Sequence, residues 1–369
     1  MTTPLISDIH ELKNTFRFTL SNVNFSIANA LRRTILVDIP CFVFKTSPYA
    51  ESKCEITTNT GKLNNEIIKQ RLSCIPIHLT DLTTNIDNYS LILQKKNETN
   101  NIIYVTTEDF QIYDNELKKF IDEKIVRKMF PPCPITNRYI DYIRLKPKIS
   151  NNLDGEEIDL SCKFHIATAK ESGMYNVVST CAYGNTIDLE KSEKHWDIKE
   201  KELKKANTES SLLAMEKKNW NILDCQRYFI ADSFDFKIES IGIYKNQELV
   251  KKACEILINE LKNFNFESNK IKIEKSRSTI ANSFDVTFID QDYTLGKVLE
   301  YFMYNNYYEH EKTLTYCGFN KDHPHDNEIL IRLGFKEEEK ASIDNVKVLF
   351  NHIFQETIEL FETIREQFK

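Results

Sequence analysis

Two short stretches in the last third of the chain carry residue types that bind metal ions. Asp290 and Asp292, in "DQD", offer the carboxylate oxygens that Mg²⁺ prefers. His323 and His325 in "DHPH", with His310 upstream, offer imidazole nitrogens. The aspartates are more typical of a turn that caps the next helix, and the histidines flank a proline with no cysteine or carboxylate at a fixed helical spacing. We therefore expect no metal site in either stretch.

The residue patterns of common catalytic sites are missing from the rest of the sequence. There is no Gly-rich phosphate loop, no Ser/His/Asp or Cys/His pairing in a local motif, and no "DFDGD"-like group of carboxylates. No two cysteines lie within four residues of each other, which argues against zinc-ligand spacing and against a small disulfide-rich fold. The nine are Cys41, Cys54, Cys74, Cys133, Cys162, Cys181, Cys225, Cys254 and Cys317. We expect a chain without catalytic residues, metal or cofactor.

An unusual pair of charges lies in "NFSIANALRRTILVDIP", residues 24–40. Arg32 and Arg33 stand beside Leu31 and Ile35, within a pattern whose apolar residues recur at helical spacing. A guanidinium is planar, always charged and forks onto carboxylates or carbonyls, so the pair suits a protein interface. The alternative is that both side chains follow a solvated flank of the helix and cover apolar surface with their stems.

Composition limits the kinds of protein that the chain can be. Its 369 residues suggest two or three domains, and 41% apolar residues can bury a core. A net charge of −6 argues against a protein whose main task is to wrap nucleic acid. The basic run "KIKIEKSRS" (270–278) is more typical of a solvated strand edge than of a nucleic-acid contact. Since "MTTPLISDIHELKN" lacks signal-peptide features and no apolar run is long enough for a membrane span, we expect a soluble protein of a reducing compartment.

Strand and helix patterns alternate along the chain in a mixed order. Residues 16–20 read as a strand, and residues 26–37 as a helix capped by Ser26. Residues 51–190 are mostly strand-like, and the charged stretch 188–222 favours a solvated helix. Amphipathic helices are predicted at 247–264 and 343–368, a strand at 284–290 and a helix from Thr294 to about Tyr304, with the polar stretch 265–283 as a link.

The strand and helix at the start of the chain recur near its end. Residues 16–36 align with 284–304 without a gap, and the copies agree in strand, turn, capping hydroxyl, small residue and leucine. Glu300 and Tyr301 replace the two arginines in the second copy. A unit of this kind cannot cover its own apolar faces, but two copies can cover each other around a pseudo-twofold axis. The pattern predicts a dimer made from one polypeptide.

The motifs around both copies resemble a known family. "ANALRRTILVDIP", "NTGKLNNEIIKQRLSCIPIHL", "ESGMYNVVST" and "FDFKIESIG" are similar to the alpha subunit of cellular RNA polymerases in its eukaryotic and archaeal form, subunit 3 of RNA polymerase II. "FIDQDYTLGKVL" and "YCGFNKDHPHDNEILIRLG" resemble the smaller partner, subunit 11. Together these matches cover nearly the whole chain. The fusion of the two looks like the subunit 3-11 homologue of large cytoplasmic DNA viruses, and the abundance of Asn, Lys and Ile fits such an origin.

The resemblance implies a fold and a division into domains. The fold class is α+β, with an alpha-subunit-type dimerisation domain at 1–50 and 223–264 and a mainly β domain inserted at 51–222. A subunit-11-like α+β domain at 265–369 completes an intramolecular pseudo-dimer. The sequence departs from the family at Ser73 and Cys74 in "RLSCIP", where "RLGLIP" is usual, and at Tyr293, where histidine is usual. The four-cysteine zinc loop of some members is missing, so we expect no zinc.

The resemblance also implies a function, which is assembly rather than catalysis. The chain would be the platform on which the two largest subunits of a DNA-directed RNA polymerase dock during transcription, with a small subunit nearby and no membrane or sequence-specific nucleic-acid binding. Arg32, Arg33 and Arg71 would contact a large subunit. The location would be the host cytoplasm and virion core if the protein is viral, and otherwise the nucleus or cytoplasm with the polymerase. The expected pseudo-dimer interface comprises Leu31, Ile35, Leu257, Leu261, Leu295, Leu299, Phe350, Ile353, Phe354 and Leu360.

Two other functions compete with this interpretation. One is a free-standing scaffold or clamp of the same fold, for which a strongly basic face would be expected. The other is a hydrolase or transferase with its site in 51–222, for which a catalytic cluster would be expected. The net charge and the missing catalytic patterns disfavour both.

Overall fold

The structure is a computed structural model that describes residues 3–12, 14–148, 154–206, 209–267 and 270–368. It is α+β, as predicted, with antiparallel sheets and helices intermixed along the chain. The strands are β1 (Leu5–Leu12), β2 (Thr15–Ser21), β3 (Cys41–Phe44), β4 (Cys54–Asn59), β5 (Tyr89–Lys96), β6 (Ile103–Thr106), β7 (Gln111–Asp114), β8 (Lys119–Phe120), β9 (Asp141–Leu145), β10 (Glu157–Ala167), β11 (Val178–Ile187), β12 (Phe229–Ser240), β13 (Ile271–Lys275), β14 (Ser283–Ile289), β15 (Leu314–Asn320) and β16 (Glu328–Phe335). The α-helices are α1 (Phe25–Val37), α2 (Asn65–Ser73), α3 (Glu123–Met129), α4 (Leu189–Lys205), α5 (Ser210–Ile222), α6 (Asn246–Lys262), α7 (Tyr293–Met303) and α8 (Ile343–Gln367). None of the helices in the described ranges combines the length and apolar character needed to span a bilayer.

The chain divides into two compact units. Unit 1 comprises Met1–Ile35, Thr180–Glu239 and Asn246–Lys369, and unit 2 comprises Leu36–Ser179 and Ser240–Lys245. These boundaries differ from those drawn from the sequence. Both copies of the repeat fall in one unit, and the charged stretch 188–222 belongs with them rather than with the inserted domain.

Unit 1 contains two four-stranded antiparallel sheets with the same order of elements. The N-terminal set runs β1, β2, α1, β11, β12, α6 and forms the sheet β1-β2-β12-β11. The C-terminal set runs β13, β14, α7, β15, β16, α8 and forms the sheet β13-β14-β16-β15. The stretch 265–283, predicted as a link, contributes β13, which pairs with β14. The repeat seen in 21 residues therefore extends to the topology of both sets.

The helices of unit 1 begin and bury their faces as their sequences dictate. In α8, the Oγ of Ser342 accepts a hydrogen bond from the amide of Asn345 at 3.2 Å and so caps the N-terminus. The residues that α8 buries recur three or four apart, and α8 packs against α6 and α7. Thr357 interrupts this apolar stripe but is fully buried, because its hydroxyl donates to the carbonyl of Ile353 at 2.7 Å.

The charged stretch 188–222 forms two helices rather than one solvated helix. Helices α4 and α5 enclose a small apolar cluster in which the rings of Trp196 and Trp220 lie 5.8 Å apart. The indole Nε1 of Trp220 donates to Ser192 Oγ at 3.2 Å, which satisfies its polar atom inside the cluster. Local charge patterning predicted helix here, but the buried tryptophan pair arises from the packing of α4 on α5.

Unit 2 is built around a larger antiparallel sheet in the order β3-β10-β5-β7-β8, with β4 paired to the first half of β10. A second sheet of two strands joins β6 and β9. Asn64 caps the N-terminus of helix α2, and its side chain accepts from the amide of Ile67 at 2.9 Å. One apolar core lies on this sheet and includes the inward residues of β4, β5 and β10.

Candidate functional site

Arg33 bonds to the start of a helix that lies 259 residues further along the chain. Its guanidinium Nη2 lies 2.6 Å from the Oδ2 of Asp292, and its Nε donates to the Oγ1 of Thr294 at 2.8 Å. The side chains of Arg33 and Asp292 are 33% and 34% exposed. The ion pair therefore ties α1 of the N-terminal set to α7 of the C-terminal set within unit 1, in a partly desolvated position.

The carboxylate of Asp292 serves two elements at once. Its Oδ1 accepts the amide of Thr294 at 2.7 Å, which caps α7, while its Oδ2 faces Arg33. Burial is the largest influence on its pKa and opposes ionisation. Hydrogen bonds from Thr294 and the charge and hydrogen bond of Arg33 outweigh burial, so the pKa of Asp292 lies below its ordinary value. Asp292 thus caps a helix, which the sequence favoured over a metal ligand, and it is also an ion-pair partner.

The matching place in the N-terminal set carries no such pair. Asn24, the counterpart of Asp292, caps α1 by accepting the amide of Ser26 at 2.9 Å, so the prediction of Ser26 as the cap was wrong: Ser26 lies inside the first turn of the helix. The Oγ of Ser26 is buried and has no hydrogen-bond partner among the described residues. Tyr301 stands where Arg33 stands in α1, and burial raises the pKa of its phenol. The Arg33–Asp292 pair is therefore one-sided within a repeated architecture.

Arg32 has a different environment from its neighbour. Its Nε and Nη2 donate to the Oδ1 of Asn29 at 3.1 and 2.8 Å, one turn earlier in α1. Among the described residues, no carboxylate lies within ion-pair distance of its guanidinium. Burial raises the pKa of Cys181 and Tyr183 on β11, and the charge of Arg32 opposes both shifts, which places this charge near β11. Arg32 thus retains a partly exposed positive charge with donors left for another molecule.

Arg71 lies in unit 2 on the exposed side of α2. Its Nε donates to the carbonyl of Tyr142 at 2.7 Å, and its Nη2 donates to the carbonyl of Asp141 at 2.8 Å. These bonds hold α2 against the start of β9 and neutralise no carboxylate. Arg71 is therefore anchored by backbone, while its charge stays available to a partner.

The residues predicted for the pseudo-dimer interface are nearly all buried in unit 1. Leu360 is partly buried, and the next residue, Phe361, is fully buried in α8. The other nine are at most 5% exposed: Leu31, Ile35, Leu257, Leu261, Leu295, Leu299, Phe350, Ile353 and Phe354. Contacts between α6 and α8 are joined by the ion pair of Lys262 Nζ with Glu362 Oε1 at 3.4 Å.

The end of α8 makes contacts that sequence reasoning missed. The ring of Phe368 lies edge-on to the ring of Phe18 at 5.1 Å between centroids, and it also contacts Phe16 at 6.2 Å. Gln367 donates from Nε2 to the carbonyl of Pro4 at 2.9 Å and accepts at Oε1 from the amide of Ile6 at 2.8 Å. The last turn of the C-terminal set thus packs on β1 and β2 of the N-terminal set.

A sequence signal for the Arg33–Asp292 pair exists, although sequence reasoning did not use it. Among the charged positions at which the aligned copies differ, two change in a coordinated way: Arg33 against Tyr301 and Asn24 against Asp292. A positive residue unique to one copy and a negative residue unique to the other are the residues that a contact between copies would require.

Comparisons with known proteins agree on one class of protein. The sequence profile of the RNA polymerase Rpb3/Rpb11 dimerisation domain matches residues 17–261, more than half of the chain. The DNA-directed RNA polymerase subunit Rpo3 of Pyrococcus furiosus is 25% identical, over 71% of this chain and 96% of the relative. The RNA polymerases I and III subunit rpac1 of Dictyostelium discoideum is 26% identical, over 69% and 78% of the two chains. The human RNA polymerases I and III subunit RPAC1 is 22% identical, over 72% and 85%.

Proposed function

Because the chain belongs to the family of the RNA polymerase Rpb3/Rpb11 dimerisation domain, we propose that it is an alpha-like assembly subunit of a multisubunit DNA-directed RNA polymerase. The observation that carries this function is the family match across β2, α1, unit 2 and α6. Other polymerase subunits are accordingly its partners. The chain is a component of a nucleotidyltransferase complex, and we propose that it contributes no catalytic residue or cofactor of its own.

The finer proposal is that the chain carries both halves of an alpha-type dimer in one polypeptide. The C-terminal set lies beyond the matched residues, and the support for this part is its order of elements, which repeats that of the N-terminal set. The packing of α6 on α8, the Phe368 contacts and the Arg33–Asp292 pair are the contacts that such an arrangement requires. A covalent link between halves keeps their effective concentration high.

We further propose that the platform binds the two largest polymerase subunits, and that Arg32, Arg33 and Arg71 contact one of them. Arg32 is the strongest candidate of the three, because it is partly exposed and its guanidinium meets no carboxylate among the described residues. Arg33 is already engaged with Asp292, so it would present the remaining donors of a fixed guanidinium. A charge that becomes buried against a partner and loses its counterpart typically costs about 2–5 kcal/mol of binding.

A viral origin is part of the proposal. The fusion of two subunit-like halves and the excess of Asn, Lys and Ile support it, and the location would then be the host cytoplasm and virion core. A polymerase of cellular origin would place the chain in the nucleus or cytoplasm instead.

Affinity purification of the tagged full chain from its native source tests the function directly. We expect the two largest polymerase subunits to be recovered with it in near-stoichiometric amounts by mass spectrometry. Recovery of the chain alone, or with unrelated proteins, would contradict the assembly role and favour a free-standing scaffold.

The role of Arg32 is tested in the same experiment with the variant Arg32→Ala. We expect recovery of the large subunits to fall at least tenfold while the circular dichroism spectrum stays unchanged, because no ion pair within the described chain is lost. Arg277→Ala, at an exposed loop position, is the matched control and leaves recovery unchanged. Equal recovery with both variants would exclude Arg32 from the interface.

A further inference from the structure

Two free cysteines of unit 2 face each other across neighbouring strands. Cys54 begins β4, and the antiparallel register of β4 on β10 places it directly opposite Cys162. Both side chains belong to the same apolar core and are 5% and 1% exposed. In the strand pairs described for the sheets, none of the other seven cysteines lies opposite another cysteine: Cys41 pairs with Ala167 and Cys317 with Leu333.

The backbone hydrogen bonds identify which kind of strand pair this is. The amide of Lys163 donates to the carbonyl of Lys53 at 3.1 Å, so the pair next to the cysteines is the hydrogen-bonded one. The amide of Cys54 turns to the Oγ of Ser52 at 3.4 Å instead of to β10. Since the two kinds of pair alternate, Cys54 and Cys162 form a non-hydrogen-bonded pair, whose Cα atoms lie about 4.5 Å apart. Disulfides span Cα distances of roughly 4.4–6.8 Å, so an S–S bond fits without a shift of the strands.

The surroundings of the two sulfurs shift their pKa values in opposite directions. The Cys162 thiol donates to the carbonyl of Lys163 at 3.5 Å. The adjacent Cys162 side chain lowers the pKa of Cys54 against the opposing effect of burial, with help from the charge of Lys69. The neighbouring Cys54 side chain and burial raise the pKa of Cys162. Of the two sulfurs, Cys54 is therefore the one that ionises more readily.

A route for a small oxidant reaches Cys54. This residue lines an open cavity of about 910 Å³ together with Lys69, Tyr49 and Glu66. Strand β4 lies at the margin of the sheet, where it pairs with β10 in the described part of the chain. A molecule the size of a peroxide can approach the thiolate from this side.

We propose that Cys54 and Cys162 form a reversible oxidation site that reacts with a hydroperoxide. The Cys54 thiolate attacks the O–O bond, which gives a sulfenic acid and releases an alcohol, or water when the oxidant is hydrogen peroxide. The Cys162 thiol then attacks the sulfenic sulfur; the S–S bond forms and water leaves. In sum, two thiols and one hydroperoxide give one disulfide, one alcohol and one water, and a dithiol reductant restores the thiols. The bond fixes the start of β4 to the middle of β10, and its formation does not depend on the polymerase role.

Oxidation of the folded full chain with hydrogen peroxide tests the site. After treatment, the chain is unfolded in denaturant that contains a maleimide, which alkylates the remaining free thiols. The chain is then digested, and disulfide-linked peptides are identified by mass spectrometry. We expect one linked pair of peptides, those that contain Cys54 and Cys162, and we expect dithiothreitol to remove the link. Cys54→Ser and Cys162→Ser each abolish it, whereas Cys225→Ser, another buried thiol, leaves it intact.

Two outcomes would overturn the proposal. One is full alkylation of Cys54 and Cys162 under peroxide doses that oxidise the exposed Cys74 and Cys133. The other is a yield of the Cys54–Cys162 link that is as high for the chain unfolded in urea as for the folded chain. The strand register would then play no part in forming the disulfide. Both use the wild-type chain and do not depend on how a variant folds.

Discussion

The ion pair of Arg33 with Asp292 should couple the two sets of unit 1 by a measurable free energy. A charge-assisted hydrogen bond contributes about 1.5–3 kcal/mol, while fully exposed ion pairs contribute about 0.2–1 kcal/mol. Both side chains are about a third exposed and the N···O distance is 2.6 Å, so the value should fall between these limits. We expect a coupling energy of about 1–1.5 kcal/mol between Arg33 and Asp292.

A double-mutant cycle with Arg33→Ala and Asp292→Asn measures this coupling. Asparagine keeps an oxygen for the amide of Thr294, so the cap of α7 survives while the charge is lost. Arg33→Ala also loses the bond to Thr294 Oγ1 and should cost about 1.5–2.5 kcal/mol. Asp292→Asn should cost about 1–2 kcal/mol, and the double variant should cost less than the sum of the two.

Urea unfolding followed by tryptophan emission is a suitable assay. The chain has two tryptophans, Trp196 and Trp220, and both lie in unit 1. Their emission therefore reports the unfolding of the unit that contains the ion pair. The unfolding of the whole chain, which has two units, need not be treated as a two-state transition. The exposed pair Lys340–Glu337, which also lies in unit 1, is the comparison, with a coupling of at most about 0.5 kcal/mol. A coupling of Arg33 with Asp292 no larger than that would refute the argument from partial burial.

Two further results follow from local geometry. A Cβ at Gly296 would fall on the ring of Phe319, so Gly296→Ala should lower the free energy of unfolding of unit 1 by about 1–3 kcal/mol in urea unfolding. Gly184→Ala is the control, because the space around Gly184 is open, and it should change that free energy by less than about 0.5 kcal/mol. Equal effects of the two variants would show that α7 can shift away from β15. Bonds from Arg332 at 2.6 and 2.9 Å lower the pKa of Asp285 against the effect of burial, so its stabilisation is complete above the unfolded value of about 3.9 and is lost as the pH falls through the folded pKa. Urea unfolding between about pH 5 and 3 should therefore show a steeper loss of stability for the wild type than for Asp285→Asn, and parallel curves would contradict this assignment.

Several features of the fold followed from local sequence alone. The alternation of residues 16–20, the stripe of α8 and the capping aspartate Asp292 depend on neighbours within one turn or one strand, so the sequence was enough to predict them. The repeat could be recognised for the same reason, because each copy carries the same local pattern of strand, turn and helix residues. The α+β class and the RNA polymerase family were confirmed, and the assignment of Arg32, Arg33 and Arg71 to a large subunit stays a prediction.

The tertiary structure alone decided which distant residues meet. From the sequence, the arginines unique to one copy were expected to face another protein. In the structure, Arg33 instead forms an ion pair with Asp292, in the other copy of the same chain. Cys54 and Cys162 are likewise 108 positions apart and become neighbours through strand register. Such contacts depend on how the chain closes its loops and on how helices and sheets pack against each other. A shift of one residue in the pairing of two strands would move every side chain of the shifted strand to the other face of the sheet. Local patterns determine what each segment becomes, and only the packed fold determines which charge or thiol lies opposite which.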